Sequence, residues 1–377
     1  MNTSTTAVHQ GKLVEEYRKR KKWSREKLAA ALHVDVSTVY RIEQRDIVGD
    51  VERRCFLVGL LGIPATLMGF SEDTQPVETH LPMNNDRMAF FEQQNAARWN
   101  IYHTGGTTLA YQGLDIWIRE MEHFAKDVSR SVWHERALAS LSMSYQLEGS
   151  ILRDMMSYER AHQAYQKAYQ IAQEIDNPEL MAAALARRGV TFVQQSQPLE
   201  AINYFNGALN TINGRGFPCL RGYTLQGLSE ALAMSHQSKD TWHIIELAEN
   251  TLEHRGEVIE LSNCYPNTSS VAAQKGVDAV LLRDYERAIA LIDKSLKNYN
   301  PTYVRGRARL IAQKAEALLG IGDLFSCIEA AEEAITMAKA VGSNKTIDRI
   351  KNLYASLSVS RWRDESGVAR LGALLKL

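Results

Sequence analysis

Two groups of side chains near the amino terminus have types and spacings suited to chemistry. Arg18, Lys19, Arg20, Lys21, Lys22 and Arg25 put six cations into eight positions, a density that suits a polyanion better than an acid–base reaction. Shortly after them come Val36, Ser37, Tyr40 and Arg41, whose spacing sets them on one side of a helix. On such a surface Val36 can meet a thymine methyl, Ser37 and Tyr40 offer hydrogen bonds, and Arg41 can grip guanine bidentately or hold a phosphate. Ser24, Arg25, Lys27 and Arg45 flank this surface and suit phosphate contacts. Thr38, Val39, Leu28 and Ala29 read as packing residues. Catalytic spacings are missing. HExxH, GxSxG, GxxxxGK(S/T) and GxGxxG do not occur, and Gly320 with Gly322 lacks a third glycine. His134, His162 and His254 read as surface or capping residues. The expectation is a protein with no enzyme chemistry, no cofactor and no metal site.

The elements that position these residues follow from local signals. Ser24 is a good N-cap for a short amphipathic helix, Arg25–Leu32, with Leu28, Ala29 and Leu32 at helical spacing. His33 and Val34 form a tight break. Asp35 can cap a second helix over Val36–Glu43, in which Val39 and Ile42 point inward and Val36, Ser37, Tyr40 and Arg41 outward. A basic helix containing Leu13, Val14 and Tyr17 precedes both, which gives a helix-turn-helix layout. Asp50–Leu61 and a short turn after Pro64 complete the domain. Cys55–Phe70 carries no charge, but sixteen residues with Pro64 and three glycines are too few for a membrane span, so the segment reads as a buried helix and turn.

At LVEEYRKRKKWSREKLAAALHVDVSTVYRIEQR, Leu13–Arg45, the chain resembles the Cro/cI-type (XRE) helix-turn-helix family. The family pattern is an Arg-rich first helix, a Ser/Thr-led helix ending in LA-x-x-L, and then V-S-x-S-T-V-x-R-x-E. One position departs from it, since His33 stands where glycine is common; histidine tolerates a left-handed backbone better than most residues. The resemblance implies that the second helix of the motif enters the DNA major groove while the preceding helix lies across the backbone. One such domain reads few base pairs, so a homodimer on an inverted-repeat operator in double-stranded DNA is implied.

Composition frames the remainder. The 377 residues hold 44 basic and 44 acidic side chains, 45% are hydrophobic and only 8 are proline, which suits long helices and disfavours an all-β fold. Residues 1–60 are basic on balance and the rest acidic. Cys55, Cys219, Cys264 and Cys327 are widely separated and read as reduced thiols of a cytoplasmic protein; the polar start of the chain carries no signal peptide and no membrane association is expected.

From residue 88 onward amphipathic segments repeat. A small residue is followed by others twelve, sixteen and nineteen positions later in Gly149, Ala161, Tyr165 and Ala168, and again in Gly189, Ala201, Phe205 and Ala208. Gly276, Ala288, Ile292 and Ser295 repeat it, as do Ala315, Cys327, Ala331 and Ala334, with a weaker copy at Ser229, Thr241, Ile245 and Ala248. The small residue lets the second helix of a pair approach, and the later positions let neighbouring pairs stack. This resembles the tetratricopeptide repeat (TPR), lengthened beyond its usual period. Residues 88–130 are an irregular helical pair closing one end, Gly105–Thr107 a turn and cap, and Thr346–Leu377 a terminal cap. The expected fold is all-α: a helix-turn-helix domain over 1–70, a linker over 71–86 (SEDTQPVETHLPMNND) and a right-handed α-solenoid of TPR-like helical pairs over 87–377, which binds the ligand and dimerises.

A Cro-like domain joined to TPR-like repeats resembles the quorum-sensing regulators of the Rgg, PlcR and PrgX kind. That resemblance implies a transcriptional regulator whose repeat groove receives a short signalling peptide and thereby changes operator binding. Helical phase nominates Gln146, Arg153, Gln194, Gln226 and Glu230 for the groove, with amides for a peptide backbone and Arg153 for a carboxylate. Two alternatives remain open: a protein-interaction adaptor whose helix-turn-helix is structural, and a regulator whose effector is a small molecule or a protein.

Overall fold

The computed structural model describes residues 9–32, 34–48, 51–70, 81–254 and 260–376. Among them every regular element is helical. The chain divides into two compact units, Met1–Gln94 with Ile116–Leu141 and Asn95–Asp115 with Ser142–Leu377.

In the first unit, α1 spans Gln10–Arg20, α2 Arg25–Leu32, α3 Val36–Glu43 and α4 Val51–Leu61, followed by a short 3-10 turn at Ala65–Met68. Val14, Leu28, Leu32, Val39, Ile42 and Leu57 form its core. Ser24 caps α2, its Oγ accepting from the Lys27 N–H at 3.1 Å. Asp35 stands at the N-cap of α3, but its carboxylate makes no capping bond; its backbone carbonyl accepts from Thr38 instead. The start of α1 abuts the end of α3: the N–H groups of Gln10 and Gly11 donate to the carbonyls of Asp46 and Arg45. A Cβ on Gly11 would sit 2.5–2.6 Å from the carbonyl oxygens of Ile42, Glu43 and Arg45, so only glycine fits there. His33 lies outside the described residues.

The following helix, α5, runs Leu81–His103, so the stretch expected as linker is helical from Leu81 onward; 71–80 lie outside the described residues. A proline at the second position does not oppose a helix start, and the polar run after it conceals the buried Met88 and Phe91. Gly105, at φ +104°, turns the chain into the short α6 (Thr107–Tyr111), and α7 covers Leu114–Asp127. Among the described residues no helix is long and apolar enough to cross a membrane.

The second unit, which takes up α8 from Ser142 onward, is built of paired helices: α8 (His134–Asp154) with α9 (Tyr158–Glu174), α10 (Pro178–Gln194) with α11 (Pro198–Thr211), α12 (Pro218–Met234) with α13 (Ser238–Glu253), α14 (Thr268–Leu281) with α15 (Tyr285–Asn298), and α16 (Val304–Ile321) with α17 (Leu324–Ala340). The spacing template is a packing rule. A Cβ on Gly149 would lie 2.6 Å from the Tyr165 ring, one on Gly189 2.8 Å from Phe205, and one on Gly276 2.6 Å from Ile292. In each pair the residue sixteen positions later rests against the small one and is itself buried. A second periodicity lies in the turns. Met156, Ser196, His236, Arg283 and Gly322 each follow their small residue by seven positions, and all have positive φ. In each turn the next residue's N–H returns to the carbonyl five positions back, as Ser157 does to Leu152, the Schellman closure that needs a left-handed residue. The terminal segment forms α18 (Asn344–Ser358) and α19 (Ser366–Leu375), whose Ile350, Leu353, Val368 and Leu371 cover the apolar side of the last pair.

One interval between copies of the template is longer than the others, from Ser229 to Gly276. Part of the extra chain is a strap, 260–267, laid over two helix starts. Glu260 accepts from the N–H groups of Cys219 and Leu220 at 2.6 and 2.8 Å, and Glu179 accepts from the Ser262 N–H at 2.6 Å.

Candidate functional site

The candidate face of the first unit is the outer side of α3. Val36, Ser37, Tyr40 and Arg41 are all exposed, with Val36 at 38% and Tyr40 at 52%, while Val39 and Ile42 on the opposite side are buried. The geometry follows from one amphipathic helix anchored at both ends. Arg41 Nη2 lies 3.4 Å from Ser37 Oγ one turn earlier, so the two side chains share one edge. Ser24, Lys27 and Arg45 are exposed, and Arg25 is half-buried.

Arg25 is held by a group that sequence reasoning missed. Glu43, fully buried at the end of α3, accepts from Arg18 Nε at 2.6 Å through one oxygen and from Arg25 Nε at 2.7 Å through the other. Arg18 also donates to the Trp23 carbonyl at 2.8 Å. Two members of the basic cluster thus fasten α1 and α2 to α3, and the Arg25 guanidinium is set 5.2 Å from the Tyr40 ring. Neighbouring Glu43 raises the Arg25 pKa further. The sequence signal was available, because an acid four positions beyond Val39 and next to Ile42 falls on the buried side of α3, and burial of a carboxylate demands a cation.

The second unit forms a cavity of about 720 Å³ lined from its first helices through α16 and α18. Arg153, Gln194, Gln226 and Glu230 line it, together with Trp99, Tyr102, Tyr223 and Tyr265. Gln146 does not. It is buried, its amide donating toward the Leu180 carbonyl at 3.3 Å and its Oε1 accepting from Arg187 Nη1 at 2.6 Å. The same phase leaves Gln226 on the lining because no arginine from the next pair closes over it; in the first pair Arg187 folds back and seals Gln146.

The polar lining is densely paired. Tyr102 Oη donates to Asp154 at 3.0 Å and accepts from Arg153 at 2.8 Å, and Arg305 also reaches Asp154. Arg309 binds Glu230 bidentately at 2.8 and 2.7 Å. Burial pushes the Tyr102 phenol up, and it holds His103 down at about 4, with the charge of Arg187 the next contribution, so His103 is neutral near pH 7. Burial also raises Glu179, beneath the strap, to about 7. Among the described residues no cluster of His, Cys, Asp and Glu is arranged to hold a metal ion.

Comparison with known proteins agrees with this division. Residues 14–47 match the helix-turn-helix family model, and the amino-terminal module is a helix-turn-helix of the XRE type. No curated protein matches the chain in sequence. Among solved structures it is similar to a Rap protein complexed with competence and sporulation factor, at 10% identity over 77% of this chain and 87% of that one, with a TM-score of 0.50. It is also similar to Bacillus thuringiensis PlcR in complex with the peptide PapR7 and DNA (12% identity, 92% and 100% of the two chains, TM-score 0.40) and to BtubC from P. vanneervenii (14%, 61% and 92%, 0.43). The first likeness is one of fold alone, and the other two superimpose too loosely to add to it. The class is therefore an all-α protein in which a helix-turn-helix precedes a helical-repeat region.

Proposed function

We propose that this chain is a sequence-specific DNA-binding transcriptional regulator whose repeat region senses a short signalling peptide and thereby modulates operator binding. The carrying observation is the face of α3: an exposed set of apolar, hydroxyl and guanidinium groups on a helix-turn-helix of matched family, backed by a buried side that fixes its orientation. In this reading Val36, Ser37, Tyr40 and Arg41 meet base edges, and Ser24, Arg25, Lys27 and Arg45 hold phosphates. Residues 1–70 are the DNA-reading domain, and the repeat region from 87 onward serves ligand binding and dimerisation on an inverted-repeat operator.

The cavity supports an effector role for the second unit. Its volume and its aromatic and amide lining suit a few peptide residues, with Arg153, Gln194, Gln226 and Glu230 as contacts and Gln146 acting through Arg187. The fold it shares with a Rap protein solved with competence and sporulation factor points the same way.

Selection of bound sites from random duplex DNA, with and without an extract of secreted peptides, tests both halves. Enrichment of an inverted repeat whose recovery changes with the extract is expected. Replacing Tyr40 and Arg41 together by alanine should abolish enrichment; unchanged enrichment would remove α3 as the reader.

A further inference from the structure

The cavity is unevenly compensated in charge. Three of the four carboxylates in its lining are in ion pairs: Asp154 with Arg153 and Arg305, Glu230 with Arg309, and Glu316 with Arg349 at 2.7 Å. Lys345 has Asp348 as a neighbouring charge on its own helix. Arg187 differs from these cations. It is 3% exposed, it forms no ion pair among the described residues, and its guanidinium donates to two neutral oxygens, Gln146 Oε1 and the Ser262 carbonyl, each at 2.6 Å. The aromatic faces of Trp99 and Tyr223, 4.7 and 6.0 Å away, offset only part of the cost of burying a charge.

A second observation lies beside it. Trp99 is 2% exposed and lines the same cavity, yet its indole N–H has no acceptor among the described residues. Buried donors are rarely left so. His103, stacked on Trp99 at 5.5 Å, is neutral and cannot supply negative charge. A buried cation and an idle N–H donor on adjoining side chains, with no anion to share, describe a receptor for one.

We propose that this corner is an anion subsite, in which a carboxylate of the effector pairs with Arg187 and accepts from the Trp99 indole. Two carboxylate oxygens suit the two donors at this corner, and the one charge of a carboxylate answers the one guanidinium that has no ion pair there. The proposal deepens the effector reading above and rests on the cavity being where the effector sits. The carboxylate belongs to a peptide's C-terminus or to an Asp or Glu side chain.

The test uses the immobilised full-length protein and three N-acetylated heptapeptide pools. One is randomised over uncharged residues with a free C-terminus; the second is the same pool amidated; the third is amidated with one Glu. Retention is read by mass spectrometry, and glutarate is tried separately by thermal shift. At least one carboxylate-bearing pool should be retained about tenfold or more over the uncharged amidated pool. Which one it is names the source. Arg187→Gln should abolish the excess, Arg187→Lys should keep part of it, and Trp99→Phe, which preserves the ring, should reduce it, each in protein that still unfolds cooperatively. Should no pool be retained while glutarate raises Tm in the parent and not in Arg187→Gln, the subsite stands and the peptide reading falls. Equal retention of the uncharged pool, an excess that survives Arg187→Gln, or no response to any probe overturns the proposal.

Discussion

Replacing Glu43 by alanine removes the buried anion shared by two arginines in the helix-turn-helix core. The Glu43 side chain is fully buried, Arg18 is 7% exposed and Arg25 is 36% exposed. Arg25 can turn to water and loses little, on the order of 1 kcal/mol. Arg18 cannot, because its guanidinium is also tied to the Trp23 carbonyl, so the variant leaves a buried cation without a counter-charge, a defect of about 3–5 kcal/mol. Such a loss is a large share of what a small domain possesses. Hydrogen exchange of the α1 and α3 amides in the full chain reads it directly, since opening that is about 4 kcal/mol easier speeds exchange by about three orders of magnitude. Protection in α10–α17 should not change. The double replacement Arg18→Met with Glu43→Leu should recover most of the protection, because apolar groups of similar volume satisfy the same space. Exchange in Glu43→Ala within threefold of the parent would refute the view that this buried cluster, rather than the apolar core alone, holds α3 in place.

Packing, turn geometry and a buried carboxyl in the repeat unit each carry a further expected outcome. Gly149→Ala drives a methyl to 2.6 Å from the Tyr165 ring and should cost about 1–3 kcal/mol, whereas Gly59→Ala, with nothing within 4 Å on an exposed side of α4, should raise stability by roughly 0.5–1 kcal/mol; paired urea melts decide. His236→Gly and Ser196→Gly relieve left-handed turns and should raise Tm slightly, while Gly322→Ala should lower stability by about 1 kcal/mol, also read by urea melts. Asp278 is fully buried and accepts from Gln274 Nε2 at 2.8 Å, and burial pushes its carboxyl up to about 8. A carboxyl raised in the folded state binds more protons there than in the unfolded chain, so the repeat unit should lose stability between about pH 4 and pH 8; Asp278→Asn should flatten that slope in a Tm-against-pH series, and an unchanged slope would assign it elsewhere.

What the sequence disclosed is the part of the fold that depends on one residue's size. The offset from Gly149 to Tyr165, or Gly189 to Phe205, is legible because close approach of two helices at a fixed register demands a small residue opposite a large one. The outward set on α3 is legible for a related reason, since eight residues of one helix keep their phase. What stayed hidden depends on chain that has no period. The strap at 260–267 supplies Glu260, Ser262 and Tyr265 to places far away in sequence, and only the long interval between Ser229 and Gly276 hinted that extra chain had to go somewhere. The linker expected over 71–86 shows the reverse error: from Leu81 a helix forms although no apolar rhythm announces its first turn.

Gln146 shows why phase alone does not define a lining. It and Gln226 occupy the same step of two first helices, α8 and α12, three positions before the small residue, yet one is sealed and the other faces the cavity. The difference lies one repeat further on. Two positions before Gly189 stands Arg187, which reaches back to Gln146; the same step before Gly276 holds Gln274, which turns to Asp278 instead. A residue's exposure in a helical array is therefore set by the side chain that its successor sends over it, and a single repeat read alone cannot contain that information. The same dependence makes Gln146 informative. If Arg187 receives the effector, Gln146→Ala should weaken retention of carboxylate-bearing peptides without touching them, by releasing the guanidinium it orients, and Gln226→Ala should leave the preference for carboxylate over amide intact. An equal loss of that preference in both variants would mean that the cavity recognises shape, with no privileged corner at Arg187.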